Sequence, residues 1–191
     1  MRVEHHIRAF EQLLNSYDGA LPLHRHLFTY FKKNKQMGSS DRRWATRYVY
    51  SYFRLGKALN QLESLERLAI GDFLCHDTLS LITAKYLPDF ENSVLSSLTE
   101  KIALVQKKYP KFKLEDVFPF DVELSEGISI TDFKPSFFIQ PDLFIRVKAN
   151  QQAQVINQLA AHNIEFSVIS DTTLALPNGT KLEQVITDAS L

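Results

Sequence analysis

The hydrophobic period of this chain changes once, at Pro110, and no other feature limits its fold as much. Before that proline the apolar residues recur at helical spacing, as in Val3, Ile7, Phe10, Leu13 and Leu14. Pro22 suits the first position of a second helix, carried on by Leu23, Leu27, Tyr30 and Phe31. "NKQMGSSD" interrupts the pattern, after which Ser39 or Ser40 can cap a long aromatic helix running to Leu55, with Asp41 in its first turn. Leu59, Leu62, Leu65 and Ala69 mark a further helix expected to stop near Gly71. Another segment runs from Asp72 to Tyr86, and Phe90, Val94, Leu98, Ile102 and Val105 form the last. Six helices with short connectors predict an all-helical bundle over residues 1–110.

Beyond Pro110, "KFKLEDVFPFDVELSEGISITDF" has no helical period and is rich in acids, so residues 111–135 read as an acidic linker or boundary. From 136 to 191 the pattern becomes strand (Leu143 to Lys148), helix (Gln151 to His162), strand (Glu165 to Ser170) and strand (Thr173 to Leu176), followed by the turn "PNGT". The expected class is therefore mixed α+β: a helical bundle followed by a small β-α-β-β domain.

Several function classes lose support at this level. The six glycines are scattered and form neither G-x-G-x-x-G nor G-x-x-x-x-G-K, so a nucleotide or S-adenosylmethionine site of the Rossmann sort is not expected in this chain. The single cysteine, Cys75, precludes an intramolecular disulfide and a multi-cysteine zinc site. Its neighbours His76 and Asp77 invite a thiol-catalysis reading. Consecutive helical residues do not face each other, however, and the residue reads as core filler. His5-His6 and His24-x-His26 lack a helical metal-ligand spacing. No catalytic or metal-binding residue is expected. No apolar run approaches a membrane span and the N-terminus is polar, which points to a cytoplasmic protein without a membrane partner.

Charge is the positive signal. The chain holds 22 Lys plus Arg and 22 Asp plus Glu, yet nine bases and one acid lie between His24 and Lys57. A segment of net +8 thus sits in a remainder of net −8, an electrostatic footprint for a polyanion. In the helix "SDRRWATRYVYSYFRLGK", Arg43, Arg47, Tyr50 and Arg54 share one face, with Lys57 near it, while Trp44, Tyr48, Ser51, Tyr52 and Leu55 point roughly opposite. Arginine forks match phosphate oxygens and Tyr50 could stack on an unpaired base, so an outward RNA-binding stripe is expected. The competing reading pairs these arginines with surrounding acids. In "QPDLFIRVKAN" the strand turns Leu143, Ile145 and Val147 inward and Phe144, Arg146 and Lys148 outward, a second basic face carrying an aromatic.

Two stretches resemble the N-terminal portion of the Sun/Fmu (RsmB-like) family of RNA 5-methylcytosine methyltransferases. "GSSDRRWATRYVYSYFRLGKAL" resembles the family's NusB-like helical domain at its D-R-R start, here Asp41, Arg42 and Arg43, and at its long helix, ending here in Phe53 and Arg54. "QPDLFIRVKANQQAQVINQLAAHNIEFSVISDTTLALPNGTKLEQVI" resembles the small domain that precedes the catalytic one; Pro141, Phe144, Arg146 and Val147 match, and Lys148 replaces an asparagine. Family members continue into an S-adenosylmethionine-binding domain with two cysteines, whereas this sequence stops at "TDASL", which gives the expectation of a fragment.

The resemblance implies a region that binds and positions rRNA for a methyltransferase domain outside the chain. S-adenosylmethionine would be the cofactor of the full-length enzyme and no cofactor would bind this part of it. RNA contacts are expected at Arg42, Arg43, Arg47, Tyr50, Arg54, Lys57, Arg146 and Lys148, and contact with the missing domain at Phe144. The alternative is a stand-alone NusB-like RNA- and protein-binding module of transcription antitermination or ribosome assembly.

Overall fold

The computed structural model describes residues 3–148, 150–182 and 185–186; the terminal "TDASL" lies outside them. The chain is mixed α+β and divides by its contacts into two units, residues 1–139 and 140–191.

The first unit is helical. It contains α1 (Val3–Ser16), α2 (Leu23–Lys33), α3 (Ser39–Arg54), α4 (Ser64–Cys75), α5 (Leu81–Tyr86), α6 (Leu98–Lys108) and α7 (Ile130–Ser136), with 3-10 turns at Pro88–Ser93 and Leu114–Asp116. Local chemistry places several of these ends. Gly38, rather than Ser39 or Ser40, caps α3, and the Asp41 carboxylate accepts its backbone N–H at 3.2 Å. Ser80 caps α5 by accepting the Thr83 N–H. Ser97 and Glu100 form a reciprocal capping box at α6, whose hydrogen bonds hold the Glu100 carboxyl below its ordinary range.

α4 is nearly encircled by protein, with every residue from Arg67 to Cys75 buried. It runs through Gly71, where the sequence pattern had placed a stop. A Cβ at Gly71 would lie 2.3 Å from the Ser51 carbonyl oxygen, so the glycine is a notch that brings the α3 and α4 backbones together. Phe10, Leu13, Tyr48, Leu55, Leu68, Phe73, Ile82 and Val105 fill the core around this contact.

The acidic stretch 111–135 belongs to this unit by its contacts, because apolar residues within and beside it reach the helical core. Phe112, Val117 and Phe138 are buried there, and the Lys57 N–H donates to Asp116 O at 2.8 Å. Gly56 makes that approach possible. Its φ of +55° suits glycine, and a Cβ would sit 1.9 Å from Val117 O. Downstream, Phe118 packs against Phe120, Phe133 and Phe137. No helix was expected here, yet Ser129 caps α7 by accepting the Thr131 N–H.

The second unit is β1 (Leu143–Arg146), α8 (Gln152–Ala161), β2 (Ser167–Ser170) and β3 (Thr173–Leu176), in the expected β-α-β-β order. Its antiparallel sheet is ordered β1-β3-β2, so the last strand lies in the middle. α8 ends in a Schellman motif. Asn163 adopts φ +54°, its N–H donates to Ala160 O, and the Ile164 N–H donates to Leu159 O. Ile145, Val147, Leu174 and Leu176 pack with Val155 and Leu159 in a separate core.

Candidate nucleic-acid interface

The inward face of α3 follows the helical pattern: Tyr48, Ser51 and Leu55 are buried, and Trp44 and Tyr52 half-buried. Its opposite face is not the continuous arginine stripe expected, because α4 and the segment after α7 close over one flank. The Arg47 guanidinium is held inside the fold. Its Nε donates to Asp72 Oδ1 at 2.6 Å and Nη2 to Asp72 Oδ2 at 3.0 Å, while Nη1 and Nη2 also bond Thr78. It lies 5.0 Å from the Trp44 ring centroid as well. Arg54 donates from Nη1 to the Phe137 and Ile139 carbonyls at 2.9 and 2.8 Å, satisfying acceptors at the C-terminal end of α7. Tyr50 is half-buried against the helical core. Arg42 bonds Met37 O and lies over the Phe31 ring.

Of the candidates on α3 and just beyond it, Arg43 and Lys57 are exposed. Four further cations in the same basic segment, Arg25, Lys32, Lys33 and Lys35, are exposed too. None of these six makes an ion pair among the described residues. The latter four contribute to the net charge of the basic segment but are not among the residues expected from the sequence to contact RNA. Their signal was available, because no acid occurs from Gly19 to Ser40.

Below the surface, Asp72 organises a polar network. Besides Arg47 it accepts from Thr83 Oγ1 at 2.8 Å, and His76 Nε2 lies 4.0 Å from its Oδ1. Ser51 Oγ is 3.2 Å from that same His76 nitrogen. A serine, a histidine and an aspartate thus gather, but a nucleophilic triad needs the two partners on opposite ring nitrogens and an accessible hydroxyl. Here both approach Nε2, and Ser51 is buried. Burial, reinforced by Arg47, Arg54 and Lys101, lowers the His76 pKa to about 4 against the opposing pull of Asp72. Burial pushes the Cys75 thiol up to about 12, which leaves it protonated and unreactive at neutral pH. The network is structural, as is Lys101, which donates to Asp77 at 2.7 Å and to His76 O.

In the second unit β1 is two residues shorter than expected, but it and the two residues after it keep the expected alternation. Ile145 and Val147 are buried, Leu143 is half-buried, and Phe144, Arg146 and Lys148 are exposed. Phe144 pairs in register with Ala175, which pairs with Ser167, so one sheet face carries an aromatic beside small residues. Phe144 is 60% exposed. Nearby, an open cavity of ≈ 530 Å³ is lined by Asp142, Glu165, Phe166 and Pro177 among others; its charged residues are carboxylates.

Among the described residues there is no cluster able to hold a metal ion, and no helix is long and apolar enough to cross a membrane. The fold is mixed α+β, with exposed cations concentrated in the segment from Arg25 to Lys57 of the helical unit. Comparison with protein-family models, curated proteins and solved structures returns no match to this chain.

Proposed function

We propose that this chain is the RNA-binding, substrate-positioning N-terminal region of an S-adenosylmethionine-dependent rRNA cytosine-5 methyltransferase, with a NusB-like helical unit, acting in the cytoplasm. The observation that carries the reading is the set of six exposed cations that have no carboxylate partner among the described residues, Arg25, Lys32, Lys33, Lys35, Arg43 and Lys57, in a molecule of zero formal net charge. Such a surface neutralises phosphates and fixes register without reading sequence. Arg146 at the end of β1 and Lys148 just beyond it offer a second basic face, and the exposed Phe144 suits contact with the methyltransferase domain.

The β1-to-α8 connection does not fit a Rossmann-type S-adenosylmethionine site. The β1-to-α8 connection, residues 147–151, contains no glycine, and β1 belongs to an antiparallel sheet. The phosphate- and nucleoside-cradling strand-to-helix turns of Rossmann folds depend on glycine and a parallel sheet. No chemical step is assigned to this region.

Titration of the chain with single-stranded rRNA fragments over a range of salt tests the proposal. Neutralising about five phosphates gives a log-log slope of about −3.5. A flat response would remove the RNA reading. Binding that requires a second protein would favour the stand-alone antitermination or assembly module instead.

A further inference from the structure

The solvent face of α2 combines an exposed aromatic ring with exposed cations on either side of it. Phe28 stands 71% exposed, while the helix buries Leu27 and packs Leu23, Tyr30 and Phe31 against the core. Arg25 and Lys32 lie three residues before it and four after it, on the same side of the helix. Lys33 and Lys35 extend the positive charge past the helix end, and Arg42, over Phe31, continues it onto α3. The acid-free run from Gly19 to Ser40 means that no carboxylate competes within this part of the chain. The three lysines outweigh the roughly half negative charge of the α2 C-terminus.

Resting on the RNA reading above, we infer that this face is a platform for single-stranded RNA, in which Phe28 stacks on an unpaired base and Arg25 and Lys32 contact the flanking phosphates. A flat ring between cations matches the alternation of base and phosphate along a single strand. Duplex RNA hides its base faces in the helical stack and offers the ring nothing. An anionic membrane is a poorer fit, because an interfacial helix sinks a broad apolar stripe into lipid. The corresponding stripe of α2 is committed to the protein core. Charge also separates Phe28 from Phe120, an exposed aromatic that sits among Asp116, Asp121 and Glu123.

Fluorescently labelled oligouridylate and a matched RNA duplex, titrated against the full chain, test the assignment. Phe28→Ala should weaken oligouridylate binding about 5- to 150-fold, with the salt slope and the duplex affinity unchanged. Phe28→Tyr should retain binding, and Phe120→Ala should behave as the native chain. Arg25→Gln and Lys32→Gln should each lower the slope by about 0.7. If native RNA binding is present but Phe28→Ala leaves it intact, or weakens single strand and duplex equally, the platform is overturned and the broader RNA reading stands. If the native chain binds neither RNA at low salt, both fall. If Phe28→Ala abolishes binding to phosphatidylserine-containing vesicles while leaving oligouridylate affinity unchanged, the platform is overturned and the face belongs to a membrane.

Discussion

Arg47 and Asp72 form a two-point ion pair, at 2.6 and 3.0 Å, across the α3–α4 contact. The carboxylate is 1% exposed and also accepts from Thr83. Of the two sequence-level readings for the α3 arginines, ion pairing describes Arg47. Breaking one side of such a pair strands a charge in a poorly solvated site, whereas the intact pair contributes much less than its Coulomb energy suggests.

Arg47→Met should therefore destabilise the first unit by about 3–5 kcal/mol, measured by urea unfolding. Under conditions where the variant remains folded its RNA affinity should stay within about twofold of native, since a loss of that size is under 0.5 kcal/mol. A tenfold loss of affinity with native stability would return Arg47 to the RNA surface.

His76 gives a pH dependence with a defined sign. Its pKa in the fold is about 4 and its ordinary value is 6.5, so the unfolded chain takes up the proton first as the medium is acidified. The stabilisation from keeping the ring neutral is complete above pH 6.5 and is lost progressively as pH falls towards 4. Urea midpoints of the native chain should decline over that window, and the decline should be shallower in His76→Gln.

At the α3–α4 notch, Gly71→Ala should cost about 1–3 kcal/mol, because a methyl group 2.3 Å from the Ser51 carbonyl forces the helices apart. Gly38→Ala is the control. Its nearest neighbour to a new Cβ is Asp41 Oδ2 at 3.4 Å, an ordinary van der Waals separation, so the change in thermal midpoint should be small.

Arg54→Gln should loosen the segment around α7 by removing the donor to Phe137 O and Ile139 O. Faster proteolysis between residues 125 and 140, with the α1–α6 region still protected, is the expected result. Arg43→Gln with Lys57→Gln should instead leave protease resistance unchanged and lower the salt slope of RNA binding by about 1.4.

These outcomes trace what a linear sequence can convey. The β-α-β-β order was legible because strand and helix periods differ and the second unit closes its core locally, within residues 143–186. The inward residues of α3 were legible for the same reason. What covers the remaining flank was not. Asp72 arrives from 25 residues away and the Phe137 and Ile139 carbonyls from 83 and 85, and no periodicity records such meetings. Gly71 misled because a helix-stopping residue and a close-packing notch use the same amino acid. The acidic stretch after Pro110 looked like a boundary because its acids outnumber its anchors, yet Phe112, Val117 and Phe138 suffice to hold it to the helical core.

The strand order of the second unit has a consequence for the timing of its assembly. β1 and β2 are each hydrogen-bonded to β3, which follows both in the chain. During synthesis neither outer strand can acquire its partner until Thr173–Leu176 has emerged, so all pairing in the sheet waits for its last strand. A nascent chain arrested just before Thr173 would display two unpaired strands at once, including the exposed Val168 and Ile169 of β2, and would be the form most in need of a chaperone.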